Sequence, residues 1–376
     1  MNSIIAKPIV WTIAGSDSGG GAGIQADLQT IQSLGGHGCS VITAITAQNT
    51  KEVNAIEPVS SHLVSEQLNS LACDLLPGAL KTGMLYSPEI IRLVAEQMQS
   101  LSLPLVIDPV MVATSGDALI DGNFIDVLMS DLMPQAAIIT PNLFEAEKLT
   151  GIKIFSKNIE DFDLQIENAA KTLKELGAKS VLIKGGDRLE SSQFSQDYFY
   201  DGKTSFWLTS NRIGSKFLHG TGCSLSAAIA CLLASGHSIR DSLVIAKAYV
   251  NQVIDSAACI GSGAMNLVHS EFKPKQEYYP WITKSAAQGR ERTEFLSCDK
   301  VPLGFYPITD NIEMLEKLVE LGVKTIQLRI KESSEANLET QVQKAVSLTN
   351  NAKCRFFLND YWRLAIKYKA YGVHLG

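Results

Sequence analysis

The sequence predicts an α/β protein: a doubly wound, mostly parallel sheet covered by helices, followed by the opening part of a second (β/α) unit. Three observations carry that reading. Near-continuous apolar runs alternate with amphipathic stretches through roughly the first 270 residues, as buried parallel strands and crossover helices require. The alternation fails between Glu271 and Lys300, where Phe272-Lys-Pro-Lys-Gln-Glu-Tyr-Tyr-Pro-Trp281 gives way to a polar run through Ser285, Gln288, Arg290, Glu291 and Arg292. It resumes over residues 301–376.

Residues 9–14, 39–47, 103–108, 136–140 and 180–184 read as strands, each an apolar or β-branched run ended by turn residues. Residues 23–34, 64–73, 88–99 and 166–176 repeat apolar side chains at three- and four-residue intervals and read as helices. Asp201-Gly202 lies between two aromatic runs, the signature of a tight antiparallel hairpin. In the second unit, strands are expected at 303–308, 323–330, 355–359 and 372–375, with helices at 313–321, closed by Gly322, and at 336–349. That rhythm suits a (β/α) barrel, which typically needs ~250 residues. The expected layout is therefore a first domain over residues 1–272, a linker over 273–300 and a truncated barrel portion over 301–376.

Composition narrows the function classes. At 45% hydrophobic and 19% charged, with mean hydropathy +0.08, the 376-residue chain has the apolar content for sizeable cores. Lys and Arg total 33 against 39 Asp and Glu, a net charge of −6, which argues against a surface built for nucleic acid. The seven cysteines form no Cys-x-x-Cys pair and no metal-spaced cluster, so most are expected to be reduced and buried. Neither a signal-like start nor an apolar run of roughly 18 residues is present, making a cytoplasmic location without membrane attachment the expectation.

Four segments carry chemistry. The first strand runs into Gly15-Ser-Asp-Ser-Gly-Gly-Gly-Ala-Gly-Ile-Gln-Ala-Asp27, where clustered glycines let a ligand approach the backbone and helix amides. A flexible tight turn is the plain alternative. Ala47-Gln48-Asn49 ends the next strand in amides placed to read a heteroaromatic edge. Asn142 and Glu145 stand one helical turn apart, a spacing suited to Mg²⁺ or, more simply, to a helix N-terminus. His219-Gly-Thr-Gly-Cys223 precedes an Ala/Leu-rich helix, so its amides can hold phosphoryl oxygens. Cys223, in the first helical turn, is expected to have a lowered thiol pKa.

In the second unit, Gln327, Arg329 and Lys331 alternate along an expected strand and share one face, a row of donors suited to an anion. Asn359-Asp360 and His374 end two further strands, where barrel enzymes keep their functional groups.

The ordered motifs of the first 270 or so residues, with Lys81-Thr-Gly-Met-Leu85, Asp108-Pro-Val-Met111, Thr140-Pro-Asn-Leu-Phe-Glu-Ala146 and Lys184-Gly-Gly186 among them, resemble hydroxymethylpyrimidine/phosphomethylpyrimidine kinases of the ribokinase superfamily. The resemblance implies two successive ATP-dependent transfers, first to a pyrimidine alcohol and then to its phosphate, with Mg²⁺. It places Gly15, Asp27, Gln48, Met84 and Val110 around the pyrimidine, Asn142, Glu145 and Lys184 toward Mg²⁺ and phosphates, and Gly220, Thr221, Gly222 and Cys223 at the reacting group. Cys223 stands where many sugar kinases carry an aspartate. A carboxylate ~4 Å from a phosphate acceptor would cost on the order of 4 kcal/mol at an effective dielectric of 20. Cys223 is accordingly expected to assist the first transfer more than the second.

Residues 301–376 resemble the start of thiamine-phosphate synthase, a TIM-barrel family. That implies a diphosphate grip by Gln327, Arg329, Lys331 and Asn359, with Asp360 on Mg²⁺, although Tyr361 replaces an expected arginine. The resemblance ends at Gly376, before the family's next acidic residue, so the chain is expected to phosphorylate the pyrimidine without forming thiamine phosphate. The rival reading is a pyridoxal-type kinase with a noncatalytic C-terminal docking module, or a regulatory pyrimidine-binding protein. Partners are expected to be small molecules, with homodimerisation left open.

Overall fold

The computed structural model describes residues 7–111, 123–155, 159–185, 193–214, 218–273, 275–285, 302–331 and 335–375. The chain divides into two units, Met1–Gly289 and Arg290–Gly376.

In the first unit the elements follow as β1 (Ile9–Asp17), α1 (Gly23–Ser33), β2 (His37–Gln48), β3 (Val53–Pro58), α2 (Ser61–Asp74), β4 (Ala79–Thr82), α3 (Pro88–Leu101), β5 (Leu105–Ile107) and α4 (Phe124–Val127). They continue as β6 (Ile138–Ile139), α5 (Leu143–Thr150), α6 (Ile159–Glu175), β7 (Val181–Lys184), β8 (Phe194–Tyr200), β9 (Ser205–Asn211), β10 (Leu218–His219), α7 (Thr221–Ala234), α8 (Ile239–Asp255), β11 (Met265–Asn266) and β12 (Trp281–Thr283).

Ten strands form one sheet in the order β12-β9-β8-β7-β6-β5-β4-β1-β2-β3. The six from β7 to β2 are parallel, while β3 at one end and β8, β9 and β12 at the other join through antiparallel pairings. Alternate residues of these strands feed two cores. Trp11, Ile13 and Ile107 pack with α2, α3 and α6, whereas Val10, Val106 and Leu182 pack with α7 and α8. This two-sided burial explains why the strands read as continuous apolar runs.

The hairpin turns at Asp201, whose carboxylate accepts from the Lys203 and Thr204 amides at 2.8 and 2.7 Å, and at Gly202, with φ +90°. The stretch read as linker departs from expectation, because β12 pairs with β9 and Trp281 packs edge-on against Phe194 at 5.6 Å. Its aromatic residues gain more from this burial than a solvated linker would allow. Burial of the cysteines also falls short: of the six described, Cys39, Cys231 and Cys354 are buried, Cys73 and Cys259 are exposed, Cys223 is intermediate, and all are free.

The second unit contains β13 (Ile308–Thr309), α9 (Ile312–Glu320), β14 (Thr325–Leu328), α10 (Glu335–Asn351), β15 (Arg355–Asn359), α11 (Trp362–Lys367) and β16 (Gly372–His374). Its four strands are parallel and in sequence order. Ile326, Leu328, Phe356 and Leu358 pack one face against Leu315 of α9 and Val342 of α10. The strand expected over 303–308 contracts to β13, since only two residues find ladder partners.

Candidate active site

Strand order reverses between β1 and β4: the chain runs from β1 outward through β2 and then returns to lay β4 on the other side of β1. Open α/β sheets bind ligands beyond the strand ends at such a point. Both glycine-rich turns lie there.

In the first turn, Asp17 accepts from the amides of Gly19, Gly21 and Ala22 at 2.8, 3.0 and 2.9 Å. Burial opposes its charge, but hydrogen bonds from His219 and these amides prevail and hold its pKa below the usual carboxylate range. A Cβ on Gly15 would sit 2.2 Å from the Met84 methyl carbon, and Val110 packs on the same small Ala44–Met84 cluster. The structure thus brings Gly15, Met84 and Val110 together.

The second turn begins at Gly220, with φ +82°, where a Cβ would lie 1.9 Å from the Gly21 carbonyl oxygen. The two turns touch backbone to backbone at this glycine. Thr221, Gly222 and Cys223 then open α7. The expected fall in the Cys223 pKa is reversed: protein around the thiol desolvates its anion and pushes it up to about 11 despite the pull of Lys81, with Asp27 and Asp108 adding to the rise. The helix-start effect that motivated the expectation is outweighed by burial and neighbouring carboxylates.

Lys184 ends β7 and reaches Asp108 Oδ1 at 2.7 Å and Glu145 Oε2 at 4.0 Å. A Cβ on Gly222 would lie 3.0 Å from its Nζ, so the ammonium faces the second turn. Burial would lower the Lys184 pKa, but Asp108 and Glu145 raise it. Its backbone is braced by Asp197, which accepts from the Gly185 amide at 3.1 Å and pairs with buried Lys247 at 2.7 Å.

Asn142 and Glu145 adopt the simpler of their two readings. Asn142 Oδ1 accepts from the Glu145 amide and Glu145 Oε2 from the Asn142 amide, both at 2.8 Å, closing a capping box at α5. Burial and Asp108 nevertheless raise the Glu145 carboxyl to about 7 against the pull of Lys184.

Asp27 lies in the interior. It is fully buried on α1, accepts from Thr12 at 2.5 Å and pairs with fully buried Lys81 at 2.7 Å. Gln48 stays half-buried at the end of β2, its Nε2 3.0 Å from His219 Nε2.

Asp17, Lys81, Asp108 and His219 carry no site role from sequence alone. Each left a signal. Lys81 is a cation inside the apolar strand Ala79-Leu80-Lys81-Thr82, and Asp108 directly follows the apolar strand β5.

In the second unit, Gln327 Nε2 donates to Asn359 Oδ1 at 2.7 Å, and Asn359 Nδ2 donates to Asp360 Oδ2 at 2.6 Å. Gln327 Oε1 is buried without a partner. The expected donor row is not realised along one strand: β14 ends at Leu328, and Arg329 and Lys331 are exposed beyond it. Solvation removes the cost of burying two cations.

A family model for phosphomethylpyrimidine kinase matches residues 17–268, spanning both glycine turns and every ion pair described around them. The chain belongs to the phosphomethylpyrimidine kinase family. Beyond this kinase domain, residues 305–376 match a thiamine monophosphate synthase model. A probable chloroplastic thiamine biosynthetic bifunctional enzyme of Oryza sativa subsp. japonica is 35% identical over 382 residues, covering 98% of this chain and 67% of that protein. The hydroxymethylpyrimidine/phosphomethylpyrimidine kinase of Rhizobium meliloti is 45% identical over 249 residues, 66% of this chain and 91% of its own. Among solved structures, the pyridoxal kinase of Staphylococcus aureus in complex with AMP-PCP and pyridoxal aligns with TM-score 0.65 and 32% identity, over 74% of this chain and 98% of that one. The kinase domain thus has the ribokinase-like fold expected of it. No described helix is long and apolar enough to cross a membrane.

Proposed function

We propose that the first unit uses ATP to phosphorylate 4-amino-5-hydroxymethyl-2-methylpyrimidine and then its monophosphate, as a step of thiamine biosynthesis. The observation that carries this reading is the junction of two glycine turns at the sheet's switch point, with the Lys184 ammonium facing the amides that open α7. Anionic phosphoryl oxygens fit that arrangement of N–H groups and a cation. Gly15, Met84 and Val110 form the apolar floor for the pyrimidine, Gln48 reads its edge, and Asp27 belongs to the same pocket through its ion pair with Lys81. Gly220, Thr221, Gly222 and Cys223 surround the transferring group.

Mg²⁺ fits here as a nucleotide-bound ion. Among the described residues no cluster of three or more acidic, histidine or cysteine side chains forms a protein cage, but Mg²⁺ usually takes only one or two carboxylates, with phosphates and water completing its shell. Asp108 and Glu145, whose mutual repulsion helps raise the Glu145 carboxyl, would hold it. Bound there, it would neutralise phosphate charge. Asn142 serves by fixing Glu145.

The protein with ATP, Mg²⁺ and hydroxymethylpyrimidine should form the mono- and then the diphosphate. Turnover of pyridoxine but not of the aminopyrimidine would favour the pyridoxal-kinase reading and overturn this one. For the second unit, Gln327 and Asn359, with Asp360 on Mg²⁺ and Arg329 and Lys331 at the rim, are proposed to receive the pyrimidine diphosphate; Gln327's unpartnered oxygen and the polar chain beside it support this. Calorimetric titration of the chain with pyrimidine diphosphate and Mg²⁺ should show a second binding event that Gln327→Leu abolishes. A docking remnant would show none.

A further inference from the structure

His219 joins three parts of the first unit. It is 6% exposed, and its Nε2 lies 3.2 Å from Asp17 Oδ2 and 3.0 Å from Gln48 Nε2. Space around it is closed: a Cβ on Gly21 would stand 2.5 Å from its ring. Its neighbour Gly220 begins the phosphoryl turn.

One ring nitrogen carries at most one hydrogen in one direction. If Nε2 is bare and accepts from the Gln48 amide, its lone pair faces the Asp17 carboxylate without a hydrogen between them. If Nε2–H donates to Asp17, the Gln48 NH₂ group cannot also donate to that atom, and the amide turns its oxygen toward the ring. In that setting the Gln48 nitrogen faces Thr46, whose hydroxyl lies 3.2 Å from the other end of the amide and 3.1 Å from the Ser16 carbonyl oxygen, to which it can donate. The single Nε2–H then lies between the Asp17 carboxylate and the Gln48 oxygen as a shared donor, the Gln48 NH₂ donates to Thr46, and Thr46 donates to Ser16. Asp17, already fixed by three backbone amides, selects this second setting.

The orientation bears on recognition. An aminopyrimidine presents a ring-nitrogen acceptor beside an amino donor, matching an amide's adjacent N–H and C=O in only one orientation; a pyridine alcohol lacks that amino donor. We propose that His219 is a positioning residue that sets the orientation of the Gln48 amide and thereby the preference for an aminopyrimidine alcohol over a pyridine alcohol. This inference rests on the proposed reading of Gln48 as the group that meets the ring.

Steady-state assays of the full chain would compare wild type, His219→Leu, His219→Gln and Gln48→Ala with hydroxymethylpyrimidine and with pyridoxine. In His219→Leu, the KM for the pyrimidine should rise ~10-fold and the preference over pyridoxine shrink by a similar factor, while the KM for ATP moves less than ~2-fold. A glutamine places an amide nitrogen near the former Nε2, so His219→Gln should regain most of the preference. A His219→Leu enzyme that keeps its preference overturns the proposal, as does a loss shared equally by both KM values and both His219 variants. Wild type inactive on hydroxymethylpyrimidine would instead defeat the underlying function. If Gln48→Ala loses pyrimidine affinity while His219→Leu does not, only the role of His219 falls.

Discussion

Lys81 and Asp27 meet at 2.7 Å with neither side chain exposed. The pair ties the strand beside the switch point to the helix that follows the first glycine turn. Desolvation weakens the charged state of each, and each supports the other's charge.

Removing one partner strands the other. Lys81→Met is expected to cost about 3–5 kcal/mol, whereas Lys81→Met with Asp27→Leu should recover most of it, because an apolar pair of similar volume replaces a buried ion pair at little cost. Urea unfolding of the single and double variants measures both. A double variant no more stable than the single one would contradict the buried-pair account.

Glu145 and His269 give opposite pH slopes. Glu145 is raised from 4.5 to about 7 mainly by burial, so the folded chain retains a proton the unfolded chain loses, and stability declines as pH climbs from about 4.5 to 7. His269 is lowered by burial from 6.5 to about 4, so its contribution is full above 6.5 and is lost as pH falls toward 4. Each effect is at most on the order of 3 kcal/mol, at roughly 1.4 kcal/mol per pKa unit. The two contributions therefore oppose each other between pH 4.5 and 6.5. Glu145→Gln should become less stable as pH falls in this range, and His269→Phe less stable as it rises. Parallel stability curves for all three proteins would refute this assignment.

With its thiol near 11, Cys223 is neutral at pH 7.5 and unable to serve there as a thiolate base. Iodoacetamide should modify exposed Cys73 and Cys259 well before it. Cys223→Ala is then expected to slow transfer to the alcohol and to the phosphate by similar factors. A loss confined to the alcohol would restore the acceptor-specific role expected from sequence.

Gly220 and Gly20 separate two uses of positive φ. Gly220→Ala places a Cβ 1.9 Å from the Gly21 carbonyl oxygen and should reduce kcat by ~100-fold or more by parting the turns. Gly20, with φ +76° and nothing within 4 Å, should tolerate alanine for about 1 kcal/mol of backbone strain and little change in kcat. Equal activity losses would show that strain, not the contact between turns, governs both sites.

The alternating strands and helices, the Asp201-Gly202 hairpin and the positions of both glycine turns were readable from residues alone, because side-chain period and turn chemistry are local properties. The same holds for the position of the Gln48 amide at the end of β2 and for the Asn142–Glu145 spacing. Which strand lies beside which is not local. Only the folded chain puts β4 next to β1, and with it Lys81 against Asp27, Lys184 against Asp108, and Asp17 against His219 across more than 200 residues of sequence. The Cys223 thiol teaches the same lesson: a helix N-terminus lowers a thiol pKa, but desolvation and nearby carboxylates, present only after packing, push it the other way. Residue pattern therefore specified the elements and the chemical groups at their ends, while long-range packing decided their partners, their charge states and how they combine into one site.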